Sequence, residues 1–168
     1  YNFNLINDNC HAMGSRIDNQ KDYACKFADI TTQSYHPVKQ ITTGEGGAVL
    51  TNNKGISEKV NRLRSHGIVK DNSNRNSAEG PWFYEMLELG FNYRITDIQC
   101  ALGFNQLAKL DNFIESRRLI ADKYNSKLGH ISFLKTPEVK STVHHSYHLY
   151  PLQIDFNKLK ITKKQFFY

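Results

Sequence analysis

One lysine of this chain lies between a His-Pro pair and a glycine-rich turn. It is Lys39, in the stretch SYHPVKQITTGEGGAVLTN that runs from Ser34 to Asn52. Burial of a lysine in such a place lowers the pKa of its amine, and the neutral amine is a nucleophile for carbonyl groups. The same spacing also fits a lysine of a solvated loop that has no chemical role. The spacing by itself therefore leaves both interpretations of Lys39 open.

A carboxylate occupies a second position at which chemistry can occur. Residues 3–8, FNLIND, have the pattern of a short strand, and Asp8 stands at its C-terminal end. Ligands of open α/β sheets bind beyond the carboxyl ends of the strands, whereas a turn carboxylate bonds only its own backbone. Both interpretations of Asp8 stay open. The motif GEGG at 44–47 is neither a Walker loop nor a dinucleotide fingerprint, so it predicts only a turn.

The histidine-rich segment HHSYH at 144–148 raises the question of a metal site. If the segment is a strand, His144 and His148 share one face and His145 lies on the other. No neighbouring carboxylate completes a set of ligands. We therefore predict no metal site here.

The composition is typical of a globular domain. The chain has 168 residues, 39% of them hydrophobic and 23% charged, with a net charge of +6. It has no apolar run of about 20 residues and no secretory signal pattern. The lysine-rich segment 158–164 lacks the interleaved aromatic residues of a nucleic-acid surface. Three cysteines without a CxxC pair indicate a reducing compartment, so we expect a cytoplasmic protein that binds neither membrane nor nucleic acid.

Strands are predicted in the first third of the chain and again near its end. β-Branched and aromatic residues predict a strand at 27–35, and the apolar run GAVLT predicts another at 47–51. Two more are predicted in ISFLK at 131–135 and in HLYPLQID at 148–155. The polar segment 69–80, VKDNSNRNSAEG, predicts a mobile loop.

Helices are predicted between these strands. Ser57 is the expected cap of a helix that ends near Gly67, a suitable C-cap residue. Thr96 begins T-D-I-Q, a capping box with glutamine at its third helical position, and a helix of about three turns should follow. Asp111 is expected to open the next helix, which Gly129 ends. This order predicts an α/β domain followed by the start of an α+β unit.

Several blocks of the sequence together resemble one known family. They are LINDNCHAMGS, DITTQSYHPVKQITTGEGGAVLTN, LRSHGI, LGFNYRITDIQCALGFNQL and SYHLYPL, and their order extends over nearly the whole chain. The sequence is similar to the DegT-type family of pyridoxal-phosphate-dependent sugar-nucleotide aminotransferases. The resemblance implies the aspartate aminotransferase-like fold (fold type I), truncated at its N-terminus. It also implies that residues 1–128 belong to the large cofactor-binding domain and that residues 129–168 begin the small C-terminal domain.

The resemblance also assigns roles to five residues around pyridoxal 5'-phosphate. Lys39 matches the lysine that forms a Schiff base with the cofactor, and Asp8 matches the aspartate that binds its pyridine nitrogen. His11 matches a Gln or His position beside the ring oxygen, and Ser34 matches a phosphate-binding serine. Asn92 matches an asparagine that reaches the cofactor phosphate of the neighbouring subunit in a homodimer. The resemblance therefore implies one cofactor site completed by a second copy of the chain.

The chemistry that the family implies is amino transfer. An aspartate beside the pyridine nitrogen keeps that nitrogen protonated, so the ring accepts electrons from a carbanion. The amine of Lys39, once released, moves the proton as a general base and acid. The blocks most resemble the branch that aminates C4 of a UDP-4-keto-6-deoxy-N-acetylhexosamine for pseudaminic acid, with L-glutamate as donor and a ping-pong cycle. A related dehydrating branch has histidine at this position, so Lys39 favours amino transfer.

Two alternatives stay open at this point. One is an aminotransferase for another nucleotide ketosugar, such as a dTDP-4-keto-6-deoxyhexose. Product analysis with UDP and dTDP substrates separates it from the first. The other is a non-catalytic basic binding fragment, for which we expect salt-dependent nucleic-acid binding and no covalent cofactor adduct.

The isolated 168-residue chain is expected to bind the cofactor poorly or not at all. A complete family member is expected to have a long N-terminal part, which supplies phosphate-binding amides and a stacking aromatic ring, so we expect this chain to be an internal fragment. Mixing the chain with pyridoxal phosphate should then give no strong Schiff-base absorbance band. A strong band that Lys39→Ala removes would contradict this expectation.

Overall fold

The computed structural model of the chain describes residues 3–70, 80 and 82–168. The described strands are Ile6–Asp8 (β1), Arg16–Ile17 (β2), Ile30–Ser34 (β3), Gly47–Leu50 (β4), Ile68–Val69 (β5), Glu85–Met86 (β6), Leu134–Lys135 (β7), Val143–His144 (β8) and Gln153–Ile154 (β9). The helices are Tyr23–Lys26 (α1), Lys54–Leu63 (α2), Asp97–Leu107 (α3), Leu110–Leu128 (α4), Phe156–Leu159 (α5) and Lys163–Phe166 (α6). The predicted mobile loop at 69–80 lies mostly outside the described residues.

The main sheet has the strand order β1-β3-β4. Strand β1 is parallel to β3, with Asp8 opposite Thr32, and β4 is antiparallel to β3, with Gly47 opposite Ser34. Since β1 and β3 run in the same direction, their carboxyl ends lie at the same end of the sheet, where α/β folds bind ligands. The three strands predicted for this region are confirmed, although each is shorter than its sequence pattern.

Three two-stranded antiparallel sheets accompany the main sheet in the described structure: β2–β8, β5–β6 and β7–β9. The β2–β8 pair sets Arg16 opposite His144 and so joins the beginning of the chain to residues beyond position 128. The division into domains at 1–128 and 129–168 stays a prediction. The β7–β9 pair confirms the two strands predicted near the end of the chain, although each is only two residues long.

Helix α2 begins earlier than the sequence pattern predicts. Its N-cap is Asn53, whose side-chain oxygen accepts a hydrogen bond from a main-chain N–H of the first turn at 3.1 Å. The prediction of Ser57 as the cap is wrong, because Asn53 already satisfies that first turn. The helix ends before Gly67, which lies in the following turn with a φ of 69°. The carbonyl group of Glu88 fills the space that a Cβ there would need.

Helices α3 and α4 lie where the sequence predicts them. The hydroxyl of Thr96 accepts from the N–H of Gln99, and the Gln99 side chain accepts from the N–H of Thr96 at 2.9 Å, so the capping box is confirmed. Gln99 also donates from Nε2 to the carbonyl oxygen of Glu45 at 2.9 Å, which ties α3 to the glycine turn. Helix α4 begins one residue before Asp111 and is capped at Gly129. No described helix has the length and apolar character that a membrane span requires.

The histidine-rich segment is a turn rather than a strand. Strand β8 ends at His144, and Tyr147 has a left-handed φ of 44°. The alternation of His144, His145 and His148 that a strand would give does not apply, because the strand ends at His144. Among the described residues, no three His, Cys, Asp or Glu side chains are placed to share a metal ion.

The buried apolar core of the described chain is small. Its buried hydrophobic side chains are those of Ala24, Ile41, Ile114 and Ala121. The chain exposes 12493 Å² of surface, whereas a compact monomer of its 19.4 kDa exposes about 8500 Å². Large apolar side chains contribute to this excess, and Ile98 and Phe104 of α3 are 85% and 80% exposed. Exposed apolar side chains of this size are typical of a region that another segment of protein covers.

Candidate active site

Lys39 lies at the end of a tight turn that follows β3. Its N–H donates to the carbonyl oxygen of His36 at 3.0 Å, with Pro37 at the second position of the turn. Proline suits that position because its φ is fixed. The two residues after the lysine, Gln40 and Ile41, are only 3% and 4% exposed. The backbone of Lys39 is therefore held on both sides, while the residue itself stays half-buried.

Asp8 ends β1 as an exposed carboxylate with several hydrogen bonds. The N–H of Cys10 donates to Oδ1 of Asp8 at 3.1 Å, and the hydroxyl of Thr32 donates to the same oxygen at 3.4 Å. The Cys10 side chain lowers the pKa of Asp8 most, followed by the Cys10 N–H, the Thr32 hydroxyl and the charge of His11. All of these favour the ionised form. Asp8 therefore keeps its negative charge at neutral pH.

Two imidazole rings meet beside this carboxylate. The ring centroids of His11 and His148 lie 4.2 Å apart with their planes at 52°. Burial lowers the pKa of His148, and the charges of His11 and Lys39 lower it further. The charge of Lys39 also acts on the Cys10 thiol, whose pKa is raised mainly by burial. The structure thus brings Asp8, His11 and Lys39 into one place, together with His148.

Ser34 is the last residue of β3 and pairs with Gly47 of β4. Its hydroxyl oxygen accepts a hydrogen bond from the N–H of His36 at 3.4 Å. That bond leaves the hydroxyl hydrogen available as a donor, which is what recognition of an anion requires. The imidazole of His36 lies 3.9 Å from the carboxylate of Glu45. Ser34 therefore ends its strand beside a turn that contains both a histidine and a glutamate.

Asn92 lies between Phe91 and Tyr93, which line a cavity together with Gly46 and Gly47 of the glycine turn. Its backbone forms an isolated bridge with Ser65, which follows α2. The rings of Phe91 and Tyr93 flank it, stacked 4.8 Å apart, and both are exposed. Within the described residues, no hydrogen bond or salt bridge joins Asn92 to the other four predicted site residues. The fold of one chain therefore connects Asp8, His11 and Lys39 through charge interactions with one another or with His148, and it places Ser34 at the end of the adjoining strand. Asn92 makes none of these described contacts.

A cavity of about 410 Å³ opens beside the paired histidines. Pro137, Val139 and Leu149 contribute apolar walls, and Glu138 and Lys140 contribute charged side chains. All five come from the segment after α4. A cavity with mostly apolar walls and a few polar groups is the usual form of a small-molecule site. The space next to His11 is therefore suited to a substrate.

The sequence did not indicate that two polar residues of this region are buried. Ser146 is 0% exposed and Gln40 is 3% exposed, and they are hydrogen-bonded to each other. His148 likewise received no role from the sequence. The one local signal for Gln40 is that it directly follows Lys39. No local pattern distinguishes Ser146 from a surface serine, because its burial depends on contacts with distant segments.

The fold agrees with solved sugar aminotransferase structures. Helicobacter pylori PseC, an aminotransferase involved in the biosynthesis of pseudoaminic acid, superposes with a TM-score of 0.79 at 33% identity, covering 92% of this chain and 40% of that chain. The PLP form of Spr1654 from Streptococcus pneumoniae superposes with a TM-score of 0.74 at 27% identity, covering 89% and 37%. The α/β fold of the fold type I aminotransferases, predicted from the sequence, is confirmed.

Sequence comparison defines the family. Residues 1–167 match the model of the DegT/DnrJ/EryC1/StrS aminotransferase family, and the chain belongs to that family. A UDP-4-amino-4,6-dideoxy-N-acetyl-beta-L-altrosamine transaminase from Campylobacter jejuni subsp. jejuni serotype O:23/36 (strain 81-176) is 42% identical over 167 residues, which cover 99% of this chain and 42% of that protein. The chain therefore spans about two fifths of the length of these curated relatives.

Removal of the Cys10 thiol tests why the pKa of Asp8 is low. Cys10→Ala deletes the largest interaction that favours the carboxylate, so the pKa of Asp8 should rise toward its ordinary value of 3.8. Carbon-13 NMR of the labelled carboxyl group through a pH titration measures the change. Cys25→Ala, which deletes a thiol elsewhere, should leave the titration of Asp8 unaltered. An unaltered titration in Cys10→Ala would show that the thiol is not the cause.

Proposed function

We propose that this chain is part of a pyridoxal-phosphate-dependent sugar-nucleotide aminotransferase. The observation that carries the proposal is the meeting of Asp8, His11 and Lys39 beyond the end of β1. The types of side chain present fit the cofactor, because an ionised carboxylate suits a protonated pyridine nitrogen and a primary amine suits an aldehyde. The hydroxyl of Ser34 suits a phosphate. A relative of the same fold, Spr1654, is described in a PLP form.

Each residue would have a distinct task in holding the cofactor. Pyridoxal phosphate, when bound, supplies an electron-accepting ring and an aldehyde that a lysine can attach to. Asp8 would bind the pyridine nitrogen, and the hydrogen bonds that keep Asp8 ionised would keep that nitrogen protonated. His11 would lie beside the ring oxygen, and Ser34 would bind the phosphate. These tasks follow from the resemblance and are supported by the location of the side chains.

Lys39 would have two tasks in the reaction, which are attachment of the cofactor and proton transfer. Its Nζ would hold the cofactor covalently, and while detached the same amine would take up a proton as a general base and return it as a general acid. His148 has a lowered pKa, so its imidazole is largely neutral at pH 7 and adds no second positive charge beside the amine.

The finer specificity is inferred from the relatives. We propose that the complete enzyme moves an amino group from L-glutamate to C4 of a UDP-4-keto-6-deoxy-N-acetylhexosamine in a ping-pong sequence. The names of the Campylobacter transaminase and of PseC support this substrate class. The second candidate is a dTDP-4-keto-6-deoxyhexose.

Cys10, Cys25 and Cys100 are free thiols, which supports a reducing, cytoplasmic location.

Substitution of Lys39 in the full-length protein tests the reaction. Lys39→Arg keeps the positive charge but cannot supply a neutral amine, so amino transfer should fall by at least about 10³-fold. Lys21→Arg, at an exposed lysine, should leave the rate unchanged within about twofold. Mass spectrometry of the aminated sugar formed from L-glutamate measures both. A Lys39→Arg variant with undiminished turnover would rule out the proposed role of this amine.

The choice of substrate is tested in the same assay with UDP and dTDP 4-ketosugars. Amination of the UDP sugar alone supports the first candidate, and amination of the dTDP sugar alone supports the second. The basic binding fragment is favoured instead if neither sugar is aminated, no cofactor adduct forms on Lys39, and nucleic acid binds in a salt-dependent manner.

We also propose that the active enzyme is a homodimer in which Asn92 serves the site of the neighbouring subunit. Asn92 is exposed and lies beside Tyr93, which is 73% exposed, and near the start of α3, where Ile98 is 85% exposed. Exposed aromatic and aliphatic side chains of this kind form the centre of subunit interfaces. A second copy of the chain would cover them and would bring Asn92 to a Lys39 that its own fold does not supply.

Mixing two inactive variants tests this arrangement. Lys39→Ala and Asn92→Ala should each be nearly inactive as homodimers. A mixed dimer has one site with neither defect if Asn92 acts across the interface, so an equal mixture of exchanged subunits should regain about one quarter of the normal activity. If Asn92 acts within its own subunit, both sites of the mixed dimer are defective and no activity returns.

A further inference from the structure

A buried group of polar residues lies directly behind Lys39. Ser15, Gln40 and Ser146 are 7%, 3% and 0% exposed, and with the carbonyl group of His11 they form what we call the Ser146 cluster. Nε2 of Gln40 donates to the His11 carbonyl oxygen at 2.6 Å and to Oγ of Ser146 at 3.1 Å. Oγ of Ser15 donates to Oγ of Ser146 at 2.9 Å and accepts from the N–H of Ser146 at 3.1 Å.

The hydrogen bonds of the Ser146 cluster are mutually consistent. Oγ of Ser146 accepts from Gln40 and Ser15 and donates its single hydrogen to the His11 carbonyl oxygen at 3.4 Å. Nε2 of Gln40 makes both of these bonds, and a reversed amide would set Oε1 against the carbonyl oxygen of His11. The donor on Gln40 therefore faces His11, while its Oε1 is buried without a hydrogen-bond partner among the described residues. Buried networks of this kind favour a single conformation of the segments that they join.

The Ser146 cluster joins the three segments that carry the candidate chemistry. Gln40 is bonded through its peptide to Lys39, and the His11 carbonyl belongs to the loop that begins at Asp8. Ser146 belongs to the turn whose end presents His148 to the ring of His11. The positions of these side chains relative to one another therefore depend on hydrogen bonds made behind them.

Helix α4 holds the same turn from its other side. Arg117 donates from Nη1 to the carbonyl oxygens of Tyr147 at 3.2 Å and His148 at 3.5 Å. Arg118 donates to the carbonyl oxygen of His145 at 3.4 Å. These bonds support the left-handed conformation of Tyr147, which a non-glycine residue adopts only when its surroundings enforce it. The turn is thus a fixed support from which Ser146 reaches the Lys39 segment.

We propose that Ser146 and Gln40 are positioning residues that set the direction of the Lys39 amine relative to Asp8 and His11. They touch neither substrate nor cofactor, and they act through the backbone on either side of the lysine. This inference rests on the proposed function of Lys39. A misplacement of a reacting group by about 1 Å can slow a reaction by about 10²-fold, so a loss of the shared hydrogen bond should be visible in the rate at which Lys39 attaches pyridoxal phosphate.

The test measures covalent attachment and not turnover. Ser146→Ala, Gln40→Met and the double variant are prepared in the full-length protein without cofactor. The second-order rate constant for attachment of pyridoxal phosphate is followed by absorbance, and borohydride trapping with mass spectrometry locates the adduct. Each single variant should slow attachment to Lys39 by about tenfold or more. The double variant should be about as slow as the slower single variant, because both changes remove the same contact.

Controls separate positioning from stability. Thr31→Val removes a buried hydroxyl that donates to the carbonyl oxygen of Ala24 at 2.8 Å, outside the Ser146 cluster, and should change the rate constant by less than about twofold. Thermal unfolding of each variant without cofactor is recorded alongside. If Ser146→Ala yields no folded protein, the rate constant of Gln40→Met decides whether the positioning role holds.

The outcomes distinguish this inference from the proposed function. Single-variant rate constants within about twofold of the normal value, or a double variant whose two effects multiply, overturn the positioning role. A Thr31→Val variant that attaches the cofactor as slowly as Ser146→Ala also overturns the positioning role, since a general loss of stability then explains both results. If the unaltered protein attaches no cofactor to Lys39, the proposed function fails and the positioning role fails with it.

Discussion

The parallel pairing of β1 with β3 is the constraint on which the rest of the candidate site depends. It sets Asp8 opposite Thr32, and it continues beyond the strand through the bond from the N–H of Asn9 to the carbonyl oxygen of Thr32 at 3.1 Å. A shift of one residue in this register would turn Asp8 to the other face of the sheet. The loop with His11 would then no longer meet the segment with Lys39.

The segment after α4 contributes the remaining residues of the candidate site. Strand β8 pairs with β2, and the turn that follows reaches back to both the Asp8 loop and the Lys39 turn. The site is therefore built from residues at both ends of the described chain, and its polar contacts are formed where the segments meet. This arrangement makes the position of the Lys39 amine a property of the whole fold.

Local sequence patterns predict most of the helices and strands correctly. They give a wrong helix cap where two nearby residues can both serve as the cap. The capping box at Thr96 was identified correctly, because hydroxyl and glutamine at that spacing satisfy each other without distant contacts. The sequence pattern favours Ser57 as the cap of α2, although Asn53 performs that task, since both residue types cap helices and only the observed backbone separates them. The sequence pattern does not show that the strand ends at His144, because the conformation of residues 145–148 depends on Arg117 and on buried contacts that are remote in sequence.

The sequence by itself determined the family, the fold class and the kinds of side chain available for chemistry, since these follow from residue types in a fixed order. It also indicated that Asp8 ends a strand, which the structure confirms. Only the tertiary structure decided that His148 packs against His11 and that Ser146 is buried behind Lys39. The physical reason is that hydrogen bonding and burial depend on distances between segments, and those distances are set when the sheet and the final turn pack together.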